Sequence, residues 1–133
     1  MHVHEFQARW RDAGVGLTER AAAQSHFGDL CRVLGQPTPT EADPTGEFYT
    51  FEKRVMKLDG ATGFADVWWR GRFAWEYKGR GADLEAAYRQ LSEYREALEN
   101  PPLLVICDLD RFVVHTNFTN TAKDVYRFTL AEL

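Results

Sequence analysis

The sequence predicts an α/β (α+β) fold in which a central mixed β-sheet is flanked by helices. Apolar residues recur at helical spacing in one segment before Gly35 and in another after Asp83, as in helices that pack on a core. The residues between them are rich in aromatic and β-branched types, which favours strands. The run Leu103–Cys107 is apolar throughout and indicates a strand covered on both faces. Helices packed on a mixed sheet follow from this order.

The first third of the chain predicts two helices and a loop. The first helix spans residues 4–13, and its apolar face consists of Phe6, Trp10 and Ala13. Thr18 is a suitable N-cap for a longer helix that ends near Gly35. The apolar stripe of that helix consists of Ala23, Phe27, Leu30, Cys31 and Leu34. Residues 36–46 contain three prolines and a glycine, so we predict a loop there.

The rest of the chain predicts strands around one further helix. A strand from Tyr49 to Leu58 turns at Asp59-Gly60 and leads into a hairpin over residues 64–78. Asp83 caps the next helix, which stops at Asn100-Pro101-Pro102 and has an inner face made of Leu84, Tyr88, Leu91, Arg95 and Leu98. A turn after Cys107 leads to a last strand over residues 112–116, and residues 117–133 show no clear pattern.

The hairpin carries the most informative residues. Side chains alternate between the two faces of a strand, so one face of the second hairpin strand carries Phe73, Trp75 and Tyr77 and the other carries Ala74, Glu76 and Lys78. A three-residue turn at 70–72 places Asp66 opposite Glu76, whereas a two-residue turn places Asp66 on the wrong face. Three-residue loops are common in hairpins. We predict the three-residue turn, or an equivalent bulge.

The local motif alone supports two interpretations of this hairpin equally. Two acids and a lysine gathered on a sheet could hold a divalent cation and a phosphate. The same residues could equally form cross-strand ion pairs on a surface hairpin. Glu19, at the start of the second helix, is also open: it is either a charge that suits the helix dipole or a third acid near the cation.

The composition sets limits on function. A formal net charge of −4 argues against a nucleic-acid binder that acts alone, although five basic residues are expected to cluster around the candidate site: Arg70, Arg72, Lys78, Arg80 and Arg89. No apolar run has transmembrane length, and we expect a cytoplasmic protein. Cys31 and Cys107 are isolated and are expected to be buried thiols. The four histidines lie on separate elements, which argues against zinc, and His26 is expected on a helix surface.

Two motifs resemble the PD-(D/E)xK nuclease superfamily. Asp66 is followed by nine residues and then by Glu76-Tyr77-Lys78, which is similar to the superfamily pattern, although Ala65 stands where its leading proline would be. Gln90 and Tyr94 resemble the Gln-x-x-x-Tyr element of RecB-like nucleases, and their spacing would let them project together from a helix. The resemblance implies a restriction-endonuclease-like αβββαβ core.

Several segments narrow the resemblance to the N-terminal domain of MmeI-like (type IIL) restriction-modification enzymes. They are residues 19–27, 37–46, 64–68, 74–79 and 115–120. Members are single chains with a nuclease, an adenine methyltransferase and a target-recognition domain. The resemblance therefore implies that residues 1–133 are a single nuclease domain of a longer chain, and that S-adenosylmethionine would serve only a fused methyltransferase.

The resemblance also implies roles for individual residues. The catalytic set is Asp66, Glu76 and Lys78, with Mg²⁺, or Mn²⁺ in its place, held by Asp66, Glu76 and the backbone carbonyl of Tyr77. Supporting residues are Glu19, Gln90 and Tyr94, and we expect phosphate contacts from Arg70, Arg72 and Arg80. The expected partner is double-stranded DNA, with dimerisation for double-strand cutting and no membrane. The alternatives are a silent domain of this fold that binds DNA or partner domains, and an unrelated α+β interaction module.

Overall fold

The chain forms one mixed sheet with helices on both faces. The structure, a computed structural model, describes residues 1–12, 18–57 and 59–133. The strands of the described residues are β1 Tyr49–Met56, β2 Thr62–Trp69, β3 Phe73–Tyr77, β4 Leu103–Cys107, β5 Arg111–Thr116 and β6 Val125–Thr129. The helices are α1 Val3–Arg11, α2 Glu19–Leu34, α3 Pro39–Ala42 and α4 Leu84–Ser92, with a 3₁₀ turn at Leu130–Glu132.

The sheet confirms the predicted fold class. Its strands lie in sequence order from β1 to β6, with β3 parallel to β4 and every other pairing antiparallel. A parallel pair needs a crossover connection, and α4 supplies it between β3 and β4. Apart from the short helix α3, which is inserted between α2 and β1, the order α2-β1-β2-β3-α4-β4 is the expected αβββαβ core. Among the described residues, no helix is both long and apolar enough to cross a bilayer.

Each face of the sheet has its own apolar core. On one face, α1 and α2 cover the aromatic side of the hairpin with Phe6, Trp10 and Phe27. On the other face, α4 contributes Leu84, Ala87 and Leu91. Both cysteines are free and buried, as predicted. Both faces of the middle of the sheet are therefore covered by mostly apolar side chains.

The ends of α2 agree with the sequence, but its apolar stripe is shorter than predicted. The Thr18 hydroxyl accepts a hydrogen bond from the Ala21 amide at 3.1 Å, and Gly35 ends the helix in the left-handed conformation with φ of 66°. Leu34, however, is 62% exposed. Cys31 already contacts Tyr49 on the edge strand β1, so the last turn of α2 extends past the sheet.

Other predicted boundaries need correction. Residues 36–46 are not all loop, since α3 begins there with a capping box between Thr38 and Glu41. Residues 117–133 include β6, which pairs with β5. The helix after Asp83 ends at Ser92 and continues as turns, which leave Arg95 exposed. Residue 13 of the first predicted helix and residue 58 of the first predicted strand lie outside the described residues.

The hairpin has the predicted three-residue turn. Trp69 pairs with Phe73, and Val67 pairs with Trp75. Gly71, in the middle of the turn, has φ of 74°, a conformation that glycine adopts at little cost. Continuing this register by one residue sets Asp66 opposite Glu76, as the sequence predicted.

Strand β2 changes face at Asp66. Ala65 and Trp68 both belong to the core under α4, whereas Val67 belongs to the core under α2. In a regular strand, residues 65 and 67 would share a face. The irregularity resembles the bulges that re-aim side chains near active sites.

Strand β1 carries the matching irregularity at Glu52. Phe51 packs against the α2 core, but Val55 belongs to the α4 core. Glu52 has φ of 52°, which is uncommon for a residue other than glycine. The register of β1 on β2 sets Glu52 at the position across from Asp66. The two strands are therefore distorted together, at the end of the sheet that faces the start of α2.

Candidate active site

One cavity collects the charged residues of four elements. It has a volume of about 240 Å³ and lies where the distorted parts of β1 and β2 meet the first turns of α2 and the end of β3. The lining residues are Glu19, Arg20, Ala23, Gln24, Glu52, Asp66, Glu76, Tyr77 and Lys78. The structure thus brings together four residues that the sequence singled out from separate segments: Glu19, Asp66, Glu76 and Lys78.

A backbone hydrogen bond holds Asp66 in place. The Tyr77 amide donates to Asp66 Oδ2 at 2.7 Å, across the hairpin. Tyr77 lies between Glu76 and Lys78 in the chain, and the Lys78 amide in turn donates to the Cys107 carbonyl on β4 at 2.8 Å. The end of β3 is therefore tied on both sides, which fixes both carboxylates and the lysine relative to each other.

Asp66 and Glu76 form an acid pair in which one carboxyl group has an unusually high pKa. Burial, followed by the charge of Asp66 and a hydrogen bond with it, raises the pKa of Glu76 to about 9. Lys78 opposes this shift, and Glu19 adds to it. Two close carboxylates disfavour ionisation of one another, so the pair holds a proton at neutral pH. A bound cation would favour the ionised form instead.

Glu52 is a residue that sequence reasoning missed. Its carboxylate pairs with the Arg20 guanidinium of α2, with 2.5 Å between Oε1 and Nε. It enters the cavity because β1 is distorted where it passes Asp66. The pairing of Met56 with Thr62 sets residue 52 opposite residue 66, whereas a two-residue turn at Asp59-Gly60 would set it opposite residue 67, so the turn residues did not predict this placement. The left-handed backbone that aims the side chain carries no sequence signal.

The donor set fits a cation that keeps part of its water. Among the described residues, no three His, Cys, Asp or Glu side chains converge closely enough to hold one ion. Mg²⁺ commonly binds through one or two carboxylates, with waters and substrate phosphate oxygens completing an octahedron. Asp66 and Glu76, set opposite each other at the open end of the sheet, match that requirement. The expected contribution of the Tyr77 carbonyl stays a prediction.

Gln90 and Tyr94 do not project together as predicted. The α-helix ends at Ser92, so the two residues do not share a helical turn. Tyr94 is buried and packs over Gly63, where an added Cβ atom would lie 2.3 Å from the tyrosine hydroxyl. Gln90 is exposed and lines a second cavity on the α4 side of the sheet.

This second cavity adjoins the first through Lys78. Besides Lys78 and Gln90, its charged lining residues are two bases, Lys57 and Arg89, and two acids, Asp83 and Glu93. Lys57 pairs with Glu93 at 2.9 Å. Lys78 lines both cavities. An acidic cavity on one side of Lys78 therefore adjoins a cavity of mixed charge on the other, in which Lys57 is paired with an acid.

The expected arginine cluster is only partly present. Arg70 pairs with Glu99 at 2.8 Å, and the Arg72 guanidinium stacks 4.2 Å from the Trp69 ring centre. Neither residue lines the cavity, because the turn lies at the other end of the hairpin, about 13 Å from Asp66 at about 3.3 Å per residue. Arg80, two residues after Lys78, does not line the cavity either and donates to the carbonyls at the end of α1, the nearer at 2.7 Å. Contacts of the three arginines with phosphate stay a prediction.

The fold and the comparisons agree on the class of this protein. An αβββαβ core with a mixed sheet is a restriction-endonuclease-like fold. The family described as "MmeI, N-terminal domain" matches residues 1–133, and the chain belongs to that family. Family and fold together identify a restriction-enzyme domain.

A solved structure supports the fold. A cryoEM structure of a DrdV–DNA complex is similar, with a TM-score of 0.57 and 18% sequence identity. The similarity covers 97% of this chain but 12% of that chain, so the present chain corresponds to a small part of the larger protein. A search of curated proteins gives no match.

Proposed function

We propose that this chain is a Mg²⁺-dependent endonuclease domain that hydrolyses DNA phosphodiester bonds, as the restriction component of a restriction-modification enzyme. The observation that carries the proposal is the placement of Asp66 opposite Glu76, with Lys78 in the same cavity. Membership of the MmeI N-terminal family supports it, as does the similarity of the fold to a protein solved in complex with DNA.

The metal would be held by Asp66, Glu76 and the backbone carbonyl of Tyr77, and Mn²⁺ could replace Mg²⁺. When bound, the ion supplies a water of lowered pKa and neutralises charge on the phosphate. The hydrogen bond from the Tyr77 amide keeps Asp66 aimed into the cavity before the metal arrives. Glu19, at the start of α2, adds negative charge to the same cavity.

Lys78 connects the chemistry to the substrate. It is half-buried beside the acid pair, where an ammonium can orient the attacking water and stabilise the charge that develops on the phosphate. Since Lys78 also lines the second cavity, we place the neighbouring phosphate of the strand at Arg89, with Gln90 beside it. Arg80 would support the backbone near the site, whereas Arg70 and Arg72 would meet DNA only beyond the cleaved phosphate.

The remaining partners belong to the longer protein. Because the similarity covers 12% of the DrdV chain, we propose that methyltransferase and target-recognition domains accompany this one. S-adenosylmethionine would bind only to the methyltransferase. Dimerisation would allow both DNA strands to be cut.

Two measurements test the proposal. We expect Mn²⁺ to bind the wild-type chain in calorimetry and not the variant Asp66→Asn/Glu76→Gln. We expect Lys78→Ala to lose nicking of supercoiled plasmid DNA while keeping its circular dichroism spectrum and its Mn²⁺ binding. Lys123→Ala, an exposed lysine before β6, is the matched control and should remain active.

The results also separate the proposal from its rival. Equal Mn²⁺ binding by the wild type and the double variant would remove the acid pair from the metal site. Undiminished nicking by Lys78→Ala would remove that lysine from the chemistry. DNA binding without cleavage by the wild type, under any metal, would favour a silent domain of the same fold.

A further inference from the structure

His26 is a buried residue and not the surface residue that the sequence predicted. Its exposed fraction is 0%, and its ring lies among Phe6, Trp10, Tyr77 and Phe112, with centroid distances between 5.0 and 5.7 Å. Nδ1 lies 2.7 Å from the Tyr77 hydroxyl. Nε2 is buried without a hydrogen-bond partner among the described residues.

A core built only for stability would not favour this arrangement. Leaving a buried polar atom without a partner costs about 1–3 kcal/mol, and a phenylalanine could fill the same aromatic pocket without that cost. What phenylalanine lacks is a directional bond to Tyr77. The hydrogen bond of His26 is therefore the property that an apolar ring could not replace.

Tyr77 connects His26 to the candidate active site through two hydrogen bonds. Its hydroxyl is hydrogen-bonded to His26 on α2, and its amide donates to Asp66 on β2, each at 2.7 Å. Its neighbours in the chain are Glu76 and Lys78. A shift of the Tyr77 ring within the core would move the backbone that holds the side chains of Asp66, Glu76 and Lys78.

The same bond also fixes the helix that carries Glu19. Glu19 and His26 are seven residues apart on α2, two helical turns, so they project from the same side of the helix. Holding His26 against Tyr77 sets the rotation of α2 relative to β3. Glu19 is thereby directed to the cavity that contains Asp66 and Glu76.

We propose that His26 is a positioning residue of the metal site, which holds the Glu76-Tyr77-Lys78 segment and Glu19 in register through its hydrogen bond to the Tyr77 hydroxyl. The proposal rests on the proposed function, because it assigns His26 to the same metal site. It adds a residue that neither contacts the cavity nor supplies a ligand.

The test removes the hydrogen bond and leaves the ring. Tyr77→Phe deletes only the hydroxyl, and His26→Phe deletes the other partner. The matched control is Tyr49→Phe, since Tyr49 is also a buried strand tyrosine whose hydroxyl contacts α2, at 3.5 Å from Cys31 Sγ, and donates to the Pro37 carbonyl. Two readouts are taken: hydrogen exchange of the amide at position 77, and Mn²⁺ affinity by calorimetry.

We expect Tyr77→Phe and His26→Phe to speed exchange of that amide and to weaken Mn²⁺ binding by about tenfold, as for other residues that orient metal ligands. Tyr49→Phe should lose comparable thermal stability and change neither readout. Unchanged exchange or unchanged affinity in Tyr77→Phe, or equal changes in Tyr49→Phe, would overturn the proposal. Absence of Mn²⁺ binding by the wild type would refute the proposed metal site instead, and the exchange readout would still decide whether His26 positions Tyr77.

Discussion

Binding of a divalent cation should expel a proton from the acid pair. In the free protein, burial and the nearby Asp66 carboxylate raise the pKa of Glu76 to about 9. At pH 7, two units below that value, only about one Glu76 side chain in a hundred is ionised. Metal ligands must be deprotonated, so binding should release about one proton per ion. For the same reason, the affinity should rise about tenfold for each pH unit between pH 6 and pH 8.

Calorimetry with Mn²⁺ measures both quantities. Titrations at pH 7 in two buffers with different ionisation enthalpies give the number of protons released, and a series from pH 6 to pH 8 gives the slope of affinity. Glu76→Gln is the control: it should bind Mn²⁺ more weakly, and the binding that it retains through Asp66 should release no proton from position 76. Heats that do not depend on the buffer, together with an affinity that is flat with pH, would refute the reasoning.

Three further predictions concern the free protein. Between pH 4.5 and about 9, Glu76 is ionised in the unfolded chain but protonated in the folded one, so the folded state loses stability as pH rises. Glu76→Gln should therefore melt at a higher temperature than the wild type at pH 8 and at a similar temperature at pH 4. Equal melting temperatures at pH 8 would contradict this. Burial, and then the charge of Arg80, lowers the pKa of His26 from 6.5 to about 3. Unfolding therefore takes up a proton as pH falls between these values, so the wild type should lose stability on acidification and His26→Phe should lose less of it, as measured by thermal melts. Gly63→Ala, whose Cβ atom would lie 2.3 Å from the Tyr94 hydroxyl, should cost about 1–3 kcal/mol in urea unfolding, whereas Gly28→Ala, with its nearest contact at 3.7 Å, should not destabilise the protein.

The residues of the site that could be placed from the sequence, Asp66 and Glu76, both belong to one hairpin. The turn at Arg70-Gly71-Arg72 has a length that decides the register, and the register decides that Asp66 lies opposite Glu76. Both effects act within fifteen residues of chain, so the local pattern contains them. The N-cap at Thr18 and the buried strand Leu103–Cys107 were predictable for the same reason.

The arginines show where local reasoning fails. Arg70 and Arg72 are close to Asp66 and Glu76 in sequence, but an extended strand advances about 3.3 Å per residue, so the turn that carries them is remote from the acids. Glu52 shows the converse. It is 14 residues before Asp66, counted from their positions in the sequence, and it reaches the same cavity because β1 pairs with β2 and both strands are distorted there.

By itself, the sequence determined the fold class, the order of the αβββαβ core elements and the pairing of Asp66 with Glu76, because these follow from periodicity, turn length and capping over short distances. Only the tertiary structure decided that His26 is buried against Tyr77, that Glu52 joins the cavity and that Lys78 lines two adjoining cavities. These outcomes depend on how α2, α4 and the distorted strands pack around a twisted sheet. Such packing sums many long-range contacts, and no short segment of the chain encodes it.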